Sequence, residues 1–355
     1  MAHNPYADLP DERFWRRAVA GVPPFALDPR PATPFPITPA DRVATAGSCF
    51  AQRVAQALRD AGYHYYITEA APPGLAAQEA EARQYGTYSA RYGNLYTPRQ
   101  FVQLFDRAYG AFVPALDAWT RADGRFVDPF RPTIEPAGFP DREAVASARA
   151  AHLAQVRTLF ETLDVFVLTL GQTEGWRHRA DGAALPLAPG VAGGVYDPEA
   201  YHLVNAGAAE ATADLRGFLD RLRGVNPEAR VIVTVSPVPM IATGIPRHVL
   251  VSNTYTKAVL RVAAEEAIAG DARAVYFPSY EIVTGGQNAA RYYAEDQRSV
   301  TPAGIRHVMR CFLAAFTPGA AAPSGALAGE AVTGAEFART RGVICDEEEI
   351  ERSLA

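Results

Sequence analysis

Residues 42–58, RVATAGSCFAQRVAQAL, limit what this chain can fold into more than any other stretch. Residues 42–46 are short and β-permissive, with the apolar character of a buried strand. After them, Phe50, Val54, Ala55 and Leu58 fall on one face at helical spacing. A strand that turns sharply through Gly47 into a helix leaves the next side chains open at the strand's C-terminal end. It also aims the helix's free N–H groups at whatever binds there. Two potential nucleophiles, Ser48 and Cys49, stand at that turn.

The rest of the chain alternates in the same way. Strands are expected over 64–67, 164–169, 230–235 and 273–277, and helices over 49–61, 98–109, 141–162, 206–223, 252–268 and 302–315. The run DVFVLT (164–169) is continuously apolar, as central parallel strands require. Thr97 and Thr301 are good caps, each followed by a proline suited to a first helical turn. Asp-Gly pairs between β-favouring flanks predict small hairpins within 118–139 and after Trp176. Residues 69–86 read as a surface loop. Strands alternating with helices imply a three-layer α/β/α sandwich with a central parallel sheet, flavodoxin-like in class, with the hairpins inserted at the strand C-terminal edge. Residues 1–38, rich in Pro, read as an irregular arm, 39–316 as the α/β domain, and 317–355 as a linker followed by an acidic tail.

Composition excludes several classes. The chain has 355 residues, 48% of them hydrophobic and 21% charged, and a net charge of −5. That is ordinary globular composition, and its scattered arginines make no basic stripe for nucleic acid. No run of 18 apolar residues exists, so no membrane span is expected. The first residues lack the apolar core of a secretory signal, and Cys49, Cys311 and Cys345 are too few and too odd for a disulfide framework. A cytoplasmic location is expected.

The motifs resemble a known family. GSCFA at 47–51 is the signature of the GSCFA family, which looks like a branch of the SGNH (GDSL) hydrolases. YGNLYT (92–97), TLGQTE (169–174), TVSPVP (234–239), YFPSYEIV (276–283) and AEDQRS (294–299) agree with it. The resemblance implies an ester hydrolase or O-acyltransferase. The wider superfamily's substrates point to a carbohydrate ester, and no cofactor is implied. Aligning GSCF on the superfamily's Gly-Asp-Ser-Leu block puts Ser48 at the Asp and Cys49 at the nucleophile. A thiolate gains from a helix N-terminus. A turn shifted by one residue favours Ser48 instead, because ester chemistry more commonly uses a hydroxyl. Gly93 resembles the second-block oxyanion donor. Thr173 stands in the slot of the third-block Asn, with Gln172 before it.

Open α/β sheets bind ligands beyond the strand C-termini. Glu174 and Glu281 follow strands at that edge and join the expected substrate residues, with Tyr92, Trp176 and Tyr280 as aromatic surfaces for a sugar. The superfamily's Asp-x-x-His base is the point of departure. Asp296 fits, and Ser299 stands where the histidine belongs. His307 is expected on the face of its helix opposite Val308, Met309, Phe312 and Phe316. His152 falls on an apolar face and reads as a core residue. His178 and His202 flank the second hairpin. His248 follows the 230–235 strand and is the expected substitute base, with Asp296 orienting it. Without an imidazole near Ser48 or Cys49, the competing reading is a non-catalytic member of the fold that binds a glycan, an acyl group or a protein. No HExxH, CxxC or glycine-rich dinucleotide loop is present, so no metal or nucleotide cofactor is expected.

Overall fold

The computed structural model describes residues 4–317 and 343–354. Four parallel strands lie side by side in the order β1 (Val43–Gly47), β4 (Val165–Leu170), β8 (Arg230–Val235) and β9 (Ala274–Tyr276). Every residue of β1 and β4 is buried, because the sheet is covered on both faces. Phe166, Leu168, Leu170, Val231 and Val233 face α3 (Pro98–Ala108), α4 (Arg142–Thr162), α5 (Ala208–Val225) and α6 (Val249–Ile268). Val165, Val167, Ile232 and Val275 face α1 (Ala51–Asp60), α7 (Ser279–Thr284) and α8 (Pro302–Phe316). The fold is a three-layer α/β/α sandwich. Among the described residues, no helix is long and apolar enough to cross a membrane.

Local chemistry sets the helix starts. The Thr97 hydroxyl accepts the Gln100 N–H and the Gln100 side chain accepts the Thr97 N–H, with Pro98 in the first turn of α3. His248 begins α6 three residues earlier than periodicity suggests: its Nδ1 accepts the Leu250 N–H at 3.1 Å. The short helix α2 (Ala77–Ala82) forms within the expected 69–86 loop.

The strand expected over 64–67 shrinks to one parallel bridge, Tyr65 to Val43. The Thr45 N–H bonds to the Ser89 hydroxyl at 3.0 Å, so the segment around Ser89 takes the edge that a full strand would need. The bridge still lies on the side of β1 away from β4. The chain order therefore reverses at β1, and the crevice of an open sheet falls above the ends of β1 and β4.

Both insertions form. The first pairs β2 (Trp119–Thr120) with β3 (Phe126–Val127). The second is larger than a hairpin: β5 (Glu174–His178) lies between β6 (Ala184–Leu185) and β7 (Tyr201–Asn205). Trp119 packs edge-on against Tyr201 and donates its indole N–H to the Tyr201 hydroxyl, joining the two.

The N-terminal arm is packed rather than loose. Leu27, Phe35 and Ile37 are buried, and the Ile37 N–H bonds to the Phe316 carbonyl. This corrects the expected outward position of His307. The arm covers that side of α8, and the ring is enclosed between the Tyr292 hydroxyl and the Leu27 carbonyl. Residues 318–342 lie outside the described ones, and with them nearly all of the expected linker. The tail from 343 returns to the domain and ends in α9 (Glu348–Arg352).

Gly47 fixes how β1 meets β4. Its φ is +130°, and a Cβ there would stand 2.1 Å from the Thr169 carbonyl oxygen. Gly47→Ala is expected to lower stability by roughly 2–4 kcal/mol through strain and backbone displacement, read as a lower urea midpoint at unchanged slope.

Candidate active site

The turn after β1 is laced to its neighbours through the main chain. The Ser48 N–H donates to Thr169 O at 2.9 Å and the Leu95 N–H to Gly47 O at 2.9 Å. The Gly171 and Gln172 N–H groups both donate to Tyr96 O. Three loops therefore meet over the ends of β1 and β4. Gly171 is pressed between Tyr96 and Ser48: a Cβ there would lie 2.9 Å from the tyrosine ring and 3.3 Å from the Ser48 Cβ.

Ser48 is buried, and its hydroxyl has no hydrogen-bond partner among the described residues. A buried hydroxyl without a partner is costly, so its retention needs a reason. It borders a small cavity shared with Cys49, Tyr96, Gln172, Ser236 and Glu347. The cavity measures about 10 Å³, room for one water. The N–H groups of Cys49 and Phe50, at the entrance to α1, find no acceptor among the described residues. They are the donors that a helix start offers to an anion.

Cys49 is also buried and borders the same cleft as Cys345 of the returning tail. The proximity of Cys345, reinforced by burial, holds the Cys49 thiol well above its ordinary pKa. Cys345 is drawn below its own ordinary value by Cys49 and the Arg298 guanidinium, against burial and the Glu347 carboxylate. Arg298 Nη2 lies 3.5 Å from Cys345 Sγ and 3.1 Å from Glu347 Oε2, and Nε donates to the Pro239 carbonyl. Burial raises the Glu347 carboxyl above its ordinary value against the pull of Arg298 and Lys257. Asp346 reaches the next loop, where its carboxylate accepts the Thr133 hydroxyl and the Asn94 N–H beside Gly93.

The site residues expected from sequence divide into two groups. Ser48, Cys49 and Gln172 border one cavity. Cys49, Asp296 and Ser299 border a second cleft of about 760 Å³. Asp296 spends its carboxylate on its own turn, accepting the Arg298 and Ser299 N–H groups and the Ser299 hydroxyl. Gly93 adopts φ +69° and lies against Asp346 rather than facing Ser48 directly. Thr173 is engaged with Thr256 and Asn205, which ties β5 to α6. Glu174 accepts the Thr243 hydroxyl and the Gly244 N–H and so anchors the loop after β8. Glu281 pairs with Arg261 and the Tyr276 hydroxyl. Tyr92 is buried with its hydroxyl on the Thr45 carbonyl, so it offers no stacking face. His248 is exposed at its cap, and no histidine borders either cavity.

The structure adds a residue that sequence reasoning missed. Lys257, from α6, is fully buried, and its Nζ donates to the Gly171 carbonyl at 2.7 Å, beside Ser48. Burial lowers its pKa to about 8, against the pull of Glu347 and Cys49. A signal was available: of the 34 Lys and Arg residues, Lys257 is the only lysine. Arginine fills every other basic position and stays protonated, whereas a buried lysine can give up its proton. Among the described residues, no group of three or more His, Cys, Asp and Glu is placed to hold a metal ion.

Arg298 is the cation that seats the tail. Arg298→Leu is expected to leave Glu347 and Cys345 buried without their guanidinium and to loosen residues 343–354. Amide exchange in that segment should then rise by about tenfold or more, while the strands exchange as before.

No curated protein matches the sequence. The model of the GSCFA family matches residues 42–312, from the start of β1 to within α8. That span holds the Gly47–Ser48–Cys49 turn, Lys257 and Arg298, and it covers most of the sequence: the chain belongs to the GSCFA family.

Proposed function

We propose that the protein is an SGNH-like acyl-ester hydrolase or O-acyltransferase, acting on a small-molecule or glycan ester, with Ser48 as nucleophile and Lys257 as base. The observation that carries this reading is the buried, unpartnered Ser48 hydroxyl packed against Gly171, whose carbonyl accepts from the chain's only lysine. Cys49 is disfavoured as nucleophile because its thiol holds its proton.

In the reaction, Ser48 Oγ attacks the ester carbonyl and its proton passes to Lys257 Nζ. The carbonyl oxygen becomes an oxyanion. The N–H groups of Cys49 and Phe50 stabilise it, with the Gln172 side chain as a third donor. Each such donor is worth roughly 3–4 kcal/mol in the transition state. Collapse expels the alcohol, which takes the proton back from Lys257 and leaves an acyl-serine. Water completes a hydrolysis, and an acceptor hydroxyl completes a transfer. Asp296 acts here as a positioning residue that shapes the turn carrying Arg298 inward. The three free cysteines suit the cytoplasmic location read from sequence.

A second reading, a non-catalytic glycan-, acyl- or protein-binding member of the fold, is favoured by one observation. Glu347 borders the Ser48 cavity and leaves room for only about one water. An ester reaches Ser48 only when Glu347 gives way.

Turnover of p-nitrophenyl acetate, acetylated sugars and a panel of acyl donors with acceptors separates the two. For the enzyme, Ser48→Ala is expected to cut kcat by about 10³-fold or more, and Lys257→Arg by about 10²–10⁴-fold because guanidinium cannot serve as base. The rate should rise with pH up to about 8 and then level, since the amine is a base only above its pKa. His248→Asn should keep full activity. No turnover with any donor, together with saturable glycan or protein binding, supports the second reading.

A further inference from the structure

The three cysteines are not equivalent. Cys311 lies on α8 with its sulfur 3.8 Å from the Leu27 carbonyl, under the N-terminal arm. Cys49 and Cys345, far apart in sequence, border the same cleft and lie close enough for each thiol to shift the other's pKa. The Cys345 sulfur also has Arg298 Nη2 at 3.5 Å and the Tyr96 hydroxyl at 3.8 Å. The guanidinium favours thiolate over thiol, against the Glu347 carboxylate 3.9 Å from the same sulfur. Both cysteines border the 760 Å³ cleft, and Cys345 borders another of about 880 Å³. A small reagent therefore has a route to them.

Neither the ester chemistry nor the family match uses Cys345, which lies beyond the matched residues. We propose that Cys49 and Cys345 form a dithiol–disulfide site that reacts with low-molecular-weight disulfides of the glutathione class. The Cys345 thiolate attacks one sulfur of the reagent, forming a mixed disulfide and releasing one thiolate. Cys49 then loses its proton, and its sulfur attacks Cys345, expelling the second reagent thiol. The protein is oxidised by two electrons, the reagent disulfide is reduced to two thiols, and the balance closes. Cys49 is the resolving partner, which accounts for a thiol held protonated until the mixed disulfide forms. The product ties residues 343–354 covalently to the entrance of α1, over Ser48. An excess of reduced thiol reverses it.

The test needs only the full chain. The reduced protein is incubated with oxidised glutathione under native conditions, alkylated with iodoacetamide, digested and mapped by non-reducing mass spectrometry. The expected product is a Cys49 peptide linked to a Cys345 peptide, with Cys311 alkylated. Cys49→Ser should stop at a stable glutathione adduct on Cys345. Alkylated Cys49 and Cys345 in wild type, or a link through Cys311, would overturn the proposal. None of these readouts depends on ester turnover, so failure here is distinct from failure of the hydrolase reading.

Discussion

The contact on which the site depends is made by backbone alone. Gly47 brings the end of β1 against the Thr169 carbonyl, and the Ser48 N–H closes the bond. From there the lacing spreads: Leu95 onto Gly47, then Gly171 and Gln172 onto Tyr96. Three loops are held by groups that every residue carries, so the side chains between them are released from structural duty. A hydroxyl without a partner survives at Ser48 because its position does not rely on its own bonds. Glycine is required where chains touch, at 47 and 171, and the chemistry sits in the intervals.

Charge is arranged around this frame with little solvent to screen it. Lys257 and Arg298 approach from opposite elements, α6 and the turn before α8, and both are influenced by Glu347. The two cations do different work. Arginine cannot lose its proton and serves as a fixed clamp on the tail. The lysine, bonded to a carbonyl rather than to a carboxylate, is left adjustable. Burying a charge is tolerated when it is paired and bonded, and the tail supplies that pairing.

The sheet and most helices were legible because buried strands read as apolar runs and amphipathic helices as stripes. β4, α3 and α8 follow directly from their residues. The partial strand at 64–67 was not, because the competing partner is a single hydroxyl, that of Ser89. His307 was misplaced for a related reason: helical periodicity sees one buried face, and the arm at Leu27 buries another. At the site, the turn was readable from Gly47 onward, but the use of each polar group was not. Thr173, Glu174 and Glu281 have the right chemistry and spend it on neighbours that only the folded chain provides. The tail was the largest omission. Cys345, Asp346 and Glu347 give no periodic signal, and their partners lie between 47 and 252 residues earlier.

The returning tail also sets an order of assembly. Translation at about 5–20 residues per second places a delay of a few seconds between α8 and Cys345. During that interval every strand and helix of the sandwich is already made. Arg298 and Lys257 then face the growing crevice without Glu347. The last dozen described residues therefore arrive last, and the pairing of both cations with Glu347 waits for them.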